Sequence, residues 1–124
     1  MAILLFVSLP LLGGCATGGS GTSGSRSGPI ERDEVESVST RDALQLVQRL
    51  RPQWLQGRGS TSLRSPGATL PLVYLDGVRY GAVESLRQID SEAVWRVEFL
   101  NAPDATNRFG TGHAGGVILV TTRR

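Results

Sequence analysis

Gly115-Gly116-Val117-Ile118-Leu119-Val120-Thr121-Thr122 is the stretch on which the fold of this 124-residue chain turns. Four consecutive large apolar residues, three of them β-branched, follow a glycine pair. The run is too short for a helix, and it lacks the alternation of a strand with one wet face. It reads as a strand buried on both sides. Such a strand is central in its sheet, so the segments before it are expected to flank or cover it.

Working outward, Trp95, Val97 and Phe99 alternate with Arg96 and Glu98, which predicts a half-buried strand with a charged outer face. Between the two strands, Pro103 suits the first position of a short helix, Phe109 closes it and Gly110 can take the left-handed stop. Gly112 to Gly116 is then a loop. Upstream, Pro71-Leu72-Val73-Tyr74-Leu75 is a second apolar run, followed by Asp76-Gly77, the favoured pair for a type I′ turn. Val78-Arg79-Tyr80 returns as a short arm. Ala82 to Ile89 suits a short helix with Val83, Leu86 and Ile89 inward, and Asp90-Ser91-Glu92 looks like a capped single turn.

Further back, Ser39-Thr40-Arg41-Asp42 has the spacing of a capping box. Ala43, Leu46, Val47 and Leu50 repeat as one face of a helix, and Pro52 stops it. A helix from about Arg41 to Arg51 is predicted, with Gln45, Gln48, Arg49 and Arg51 toward solvent. Trp54-Leu55-Gln56 reads as a short strand and Gly57 to Gly67 as a loop. The order helix, strand, strand, helix, strand, helix, strand predicts an α+β fold: a small mixed β-sheet with short helices.

The N-terminal part is different. Ile3 to Leu12 is apolar apart from Ser8 and Pro10, and it ends in Leu12-Gly13-Gly14-Cys15. The run is too short to span a bilayer and fits the core of a secretory signal. A leucine three residues before a cysteine, with small residues between, resembles a lipobox. That resemblance implies cleavage after Gly14, lipidation of Cys15 and, with Ala16 next, delivery to the outer membrane. No Lys or Arg precedes the apolar run, a departure from the usual signal. Ala16 to Gly28 is almost entirely Gly, Ser and Thr, the composition of a flexible tether. Pro29 to Val38 is charged and is expected to be mostly disordered, extended near Val35 and Val38. Residues 1–14 are thus expected to be a signal peptide, 15–38 a tether and 39–124 one small domain.

The net charge is +2, and all thirteen basic residues are arginine. They are scattered, without the block or stripe that nucleic acid selects. The single Cys excludes an intramolecular disulfide. His113 is the sole histidine and has no second His or Cys to build a metal site with. Asp76 before Gly77 reads as a turn residue, and Asp90 with Glu92 as helix-start acids more than as an acid/base pair. Gly110 to Gly116 is glycine-rich, but it leads into a strand, whereas phosphate-cradling loops leave one. Arg58, Arg64, Arg79 and Arg108 fall in predicted loops and turns, as a solvated face or a contact surface for an anionic partner. No cofactor and no catalytic set is called for.

Leu72-Val73-Tyr74-Leu75-Asp76-Gly77-Val78 resembles the segment "PL-hydrophobic-hydrophobic-DG-V" of the plug domain of TonB-dependent outer-membrane receptors. Leu86, Ile89, Asp90, Val94, Val97-Glu98-Phe99-Leu100, Pro103, Ala105, Phe109-Gly110, Ala114 and Gly116-Val117-Ile118 are similar to the rest of that signature. The likeness covers Leu70 to Thr122, and Ala43-Leu44-Gln45 with the Gly57-Arg58-Gly59-Ser60 loop extends it upstream. Ala102 stands where the family has glycine before proline, and Phe109 where it has tyrosine before glycine. The resemblance implies a plug-like fold. The receptor's transport activity is not expected, because a barrel of about twenty-two strands needs a strand pattern that is absent from these residues. A lipid-anchored module at the outer membrane is expected, facing the periplasm and acting by contact with an outer-membrane or periplasmic protein. The alternatives are an accessory subunit of a separately encoded barrel and a small α/β enzyme.

Overall fold

The computed structural model describes residues 28–57 and 69–124. Its helices are α1 (Arg32–Ser37), α2 (Ala43–Leu50) and α3 (Ala102–Phe109), and its strands are β1 (Leu72–Leu75), β2 (Val78–Ala82), β3 (Val94–Leu100) and β4 (Val117–Thr122). The strands form one mixed sheet in the order β2-β1-β4-β3, with β1 parallel to β4 and the other pairs antiparallel. The apolar run Val117–Val120 is therefore central, and all four of its residues are buried. This is the small mixed sheet with short helices, the α+β plug-like fold, that the pattern predicts.

The two faces of β4 enter two cores, because successive side chains of a strand point to opposite sides. Ile118 and Val120 join Val73, Val97 and the apolar sides of α1 and α2 in the larger core. Val117 and Leu119 join Tyr74 and Ala105 in a smaller one, against α3. Val83, Leu86 and Ile89 point inward as expected, from a 3₁₀ segment (Val83–Gln88) in place of an α-turn. Asp90 caps the next short turn by accepting from the Glu92 N–H at 2.9 Å. In α3 the Asn101 side chain is the N-cap, so Pro103 falls one position later than expected.

Four expectations are corrected. The Ser39 capping box is not formed: the Asp42 carboxylate itself caps α2, accepting from the Gln45 N–H at 2.9 Å. The segment before it stays extended because it pairs with 89–91, through Ala43 N–H to the Ile89 carbonyl and Ser91 N–H to that of Arg41. Trp54 lies in a 3₁₀ turn (Pro52–Leu55) begun by Pro52, not in a strand, and is buried beside Phe99 with ring centroids 6.0 Å apart. Residues 29–38 are not an extension of a tether. Ile30 pairs with Val97 on the outer edge of β3, α1 follows, and both Ile30 and Val35 are buried. Arg51, placed toward solvent by periodicity, is only 3% exposed and forms a two-pronged ion pair with Glu34 at 3.1 and 3.2 Å. Its guanidinium also donates to the carbonyls of Gly28 and Leu50, so one side chain ties α1 to the end of α2.

Candidate functional site

At the carboxyl end of β4 the sheet is left partly uncovered. The eight residues of α3 make about 12 Å of helix, against about 20 Å of strand. Ala105 and Phe109 cover Val117 and Leu119, and the sheet beyond is open. The result is a cleft of about 480 Å³. Leu119 and Thr121 line it from the sheet and Trp95 from β3. Arg108 contributes from the last turn of α3, Arg123 and Arg124 from the segment after β4, and Asp76-Gly77 from the turn between β1 and β2.

Each wall has a local cause. Val94 pairs with Thr122 and Arg96 with Thr121, so Trp95 is the extra residue of a β-bulge. The bulge keeps Val94 and Val97 in the core and turns the indole outward, where it is half exposed. This is why simple alternation, which predicts Trp95 inward, fails at that residue. Asp76 and Gly77 have positive φ (50° and 86°), as a type I′ turn requires at both central positions. The Asp76 carboxylate accepts from the backbone N–H and the hydroxyl of Thr122, and these bonds hold its pKa below the ordinary value.

His113 lies in the loop before β4 and is buried. Its Nδ1 is 2.7 Å from the Gly110 carbonyl, which can only accept, so Nδ1 carries the proton. Nε2 then accepts from the Tyr74 hydroxyl at 2.8 Å, and Phe109 stacks on the Tyr74 ring with centroids 4.1 Å apart. The histidine fastens the glycine-rich loop to β1 and α3. Among the described residues no three His, Cys, Asp or Glu side chains are grouped to hold a metal ion. Arg79 is exposed on the edge strand β2, and Cys15, Arg58 and Arg64 lie outside the described residues. Sequence reasoning singled out Asp76, Gly77 and Arg108 but missed Trp95, Arg123 and Arg124 as members of the same site. The signal for these three is their convergence, which no linear spacing carries.

A family model, the TonB-dependent receptor plug domain, matches residues 20–117. The chain belongs to the TonB-dependent receptor plug domain family. No solved structure matches it. The matched span begins upstream of α1, so Ile30 and the Arg51–Glu34 pair belong to the plug domain itself. Plug domains occur in outer-membrane receptors and are a non-catalytic family. Within this plug domain, Asp76, Gly77, Trp95 and Arg108 fall inside the matched span, whereas Leu119 to Arg124 lie beyond it.

Proposed function

We propose that this protein is an outer-membrane lipoprotein, anchored through Cys15, whose plug domain is a binding or interaction module facing the periplasm. The observation that carries the reading is the coexistence in one chain of Leu12-Gly13-Gly14-Cys15 and a plug domain that is already packed at Ile30. The Gly/Ser/Thr composition of the residues between them suits a tether between membrane and domain. Binding rather than catalysis is supported by the cleft's chemistry. Its cationic groups are guanidiniums, which keep their protons at any physiological pH and so serve as fixed charges, not as acid/base groups.

Mass spectrometry of the membrane-extracted protein tests the anchor. A mature N-terminus at Cys15 carrying a diacylglyceryl group is expected, and Cys15→Ala should release the protein from the membrane fraction. An unprocessed N-terminus, or a Cys15→Ala protein still bound to membrane, would refute it. A second reading, a plug subunit that docks with a separately encoded barrel, is favoured by the exposed apolar side chains Val78, Tyr80 and Trp95. Crosslinking in intact outer membranes would then trap one barrel protein through those residues.

A further inference from the structure

We propose that the cleft at the carboxyl end of β4 binds a small amphipathic anion, a carboxylate or phosphate carried on an apolar or aromatic body. The inference does not depend on lipid attachment at Cys15. Three guanidiniums, those of Arg108, Arg123 and Arg124, line the cleft together with one carboxylate, Asp76. Both oxygens of that carboxylate are already engaged by Thr122. Among the described residues no carboxylate lies within ion-pair distance of the three arginines; Arg108 rests 5.4 Å from the centroid of the Phe109 ring. Arg124 acts on the Asp76 carboxylate without a direct ion pair, and among the described residues Arg108 and Arg123 have no ion pair. Fixed cations so placed, beside a low-dielectric wall, attract an anion and hold it by charge-assisted hydrogen bonds.

The apolar half of the ligand follows from the other walls. Trp95 is half exposed although it is among the largest apolar side chains in the chain, and Leu119, itself almost fully buried, lines the same cleft from β4. An exposed indole next to free guanidiniums offers a stacking surface for a ring and dispersion contact for an alkyl chain. The volume of about 480 Å³ falls in the range of small-ligand pockets, roughly 300–1,000 Å³. The same chemistry is carried by a free aromatic or fatty acid and by an anionic lipid at a membrane surface.

Naphthalene-2-carboxylate is a suitable probe, with the neutral naphthalene-2-carboxamide and inorganic phosphate as controls. Each would be titrated into the full chain carrying Cys15→Ser, following the two indole N–H resonances. The carboxylate should shift the Trp95 signal saturably and leave that of buried Trp54 unchanged. The carboxamide, which lacks the charge, and phosphate, which lacks the apolar body, should each bind at least about tenfold more weakly. Arg108→Gln, Arg123→Gln and Trp95→Ala, all exposed positions, should each weaken binding with the amide spectrum otherwise intact. Equal binding of carboxylate and carboxamide, equal response of both indoles, or no saturation would overturn the proposal. Vesicles separate the two ligand sources. Displacement of the probe by phosphatidylglycerol, but not phosphatidylcholine, supports a membrane lipid, and failure of both supports a free acid.

Discussion

The Asp76 carboxylate accepts two hydrogen bonds from Thr122, one from the backbone N–H at 2.9 Å and one from the hydroxyl at 2.6 Å. The turn between β1 and β2 is thereby fastened to the far end of the central strand, across 46 positions of sequence. The hydroxyl bond, then the backbone bond, and finally the nearby Arg124 hold the Asp76 pKa below its ordinary value of 3.8, against a small opposing effect of burial.

The sign of the pH dependence follows. A carboxyl group with a depressed folded-state pKa contributes stability that is complete above its unfolded value and lost as pH falls through the folded one. Asp76→Asn keeps the turn geometry, since Asn tolerates positive φ, and removes the titration. Urea midpoints recorded from pH 7 to pH 2 should fall less steeply below about pH 4 in the variant than in the parent. Solvent screening at this exposed site keeps the difference small. Parallel pH profiles would show that the bond contributes nothing.

The pair Arg51–Glu34 should behave very differently from a surface ion pair. Removing one partner of a buried pair strands the other charge, at a cost of about 3–5 kcal/mol. Arg51 is buried and Glu34 only partly, so Glu34→Gln, which strands the buried guanidinium, should cost about 3 kcal/mol. Arg51→Ala strands a carboxylate that water still reaches, but it also removes the bonds to the Gly28 and Leu50 carbonyls and should cost a comparable amount. Arg49→Ala, exposed on the same helix, should change stability by under about 0.5 kcal/mol. Chemical denaturation of the three variants measures this directly.

Truncation tests where the domain begins. A segment starting at Ser39 lacks Ile30, Val35 and Glu34, and so loses two core side chains and the partner of Arg51. Loss of one fully buried Ile side chain costs about 2–5 kcal/mol, a large share of a domain stability of about 5–15 kcal/mol. Residues 28–124 should therefore unfold cooperatively with dispersed amide spectra, and residues 39–124 should be destabilised or molten. Equal stability of the two segments would mean that α1 is dispensable.

Two glycines should separate crowding from backbone strain. A methyl group at Gly115 would run into the carbonyl oxygens of Leu70 and Thr69, which backbone cannot easily yield. Gly115→Ala should lose about 2 kcal/mol or more. At Gly77 a methyl group meets nothing within 4 Å, but φ is +86°, so Gly77→Ala should lose about 1 kcal/mol through conformation alone. Denaturation midpoints in the reverse order would refute this assignment.

Much of the fold is legible in the sequence, and where it is legible the reason is local. The run Val117–Val120 has no polar position, so it must be covered on both faces, and it is central. Asp76-Gly77 supplies the two positive φ values that the hairpin needs, and Ala43, Leu46 and Val47 share one buried face of α2. These features arise from steric and solvation preferences of residues close in sequence, which is why the order of elements, the turn and the plug-like pattern can be read from the chain alone.

The tertiary structure decided what depends on partners far apart in sequence. Arg51 is polar and falls on the apparent outer face of its helix. Only the arrival of Glu34 and of the Gly28 carbonyl makes its burial favourable, and with it the docking of α1. Trp95 alternates with its neighbours as a core residue should, yet the bulge against Thr121 and Thr122 turns it outward, because ladder register is set between strands and not within one. His113 looks like a loop residue until Tyr74 and the Gly110 carbonyl satisfy both of its nitrogens. The cleft is the same kind of object: Asp76, Trp95, Arg108 and Arg123 meet only after four separate segments have packed, since convergence is a property of distances in space.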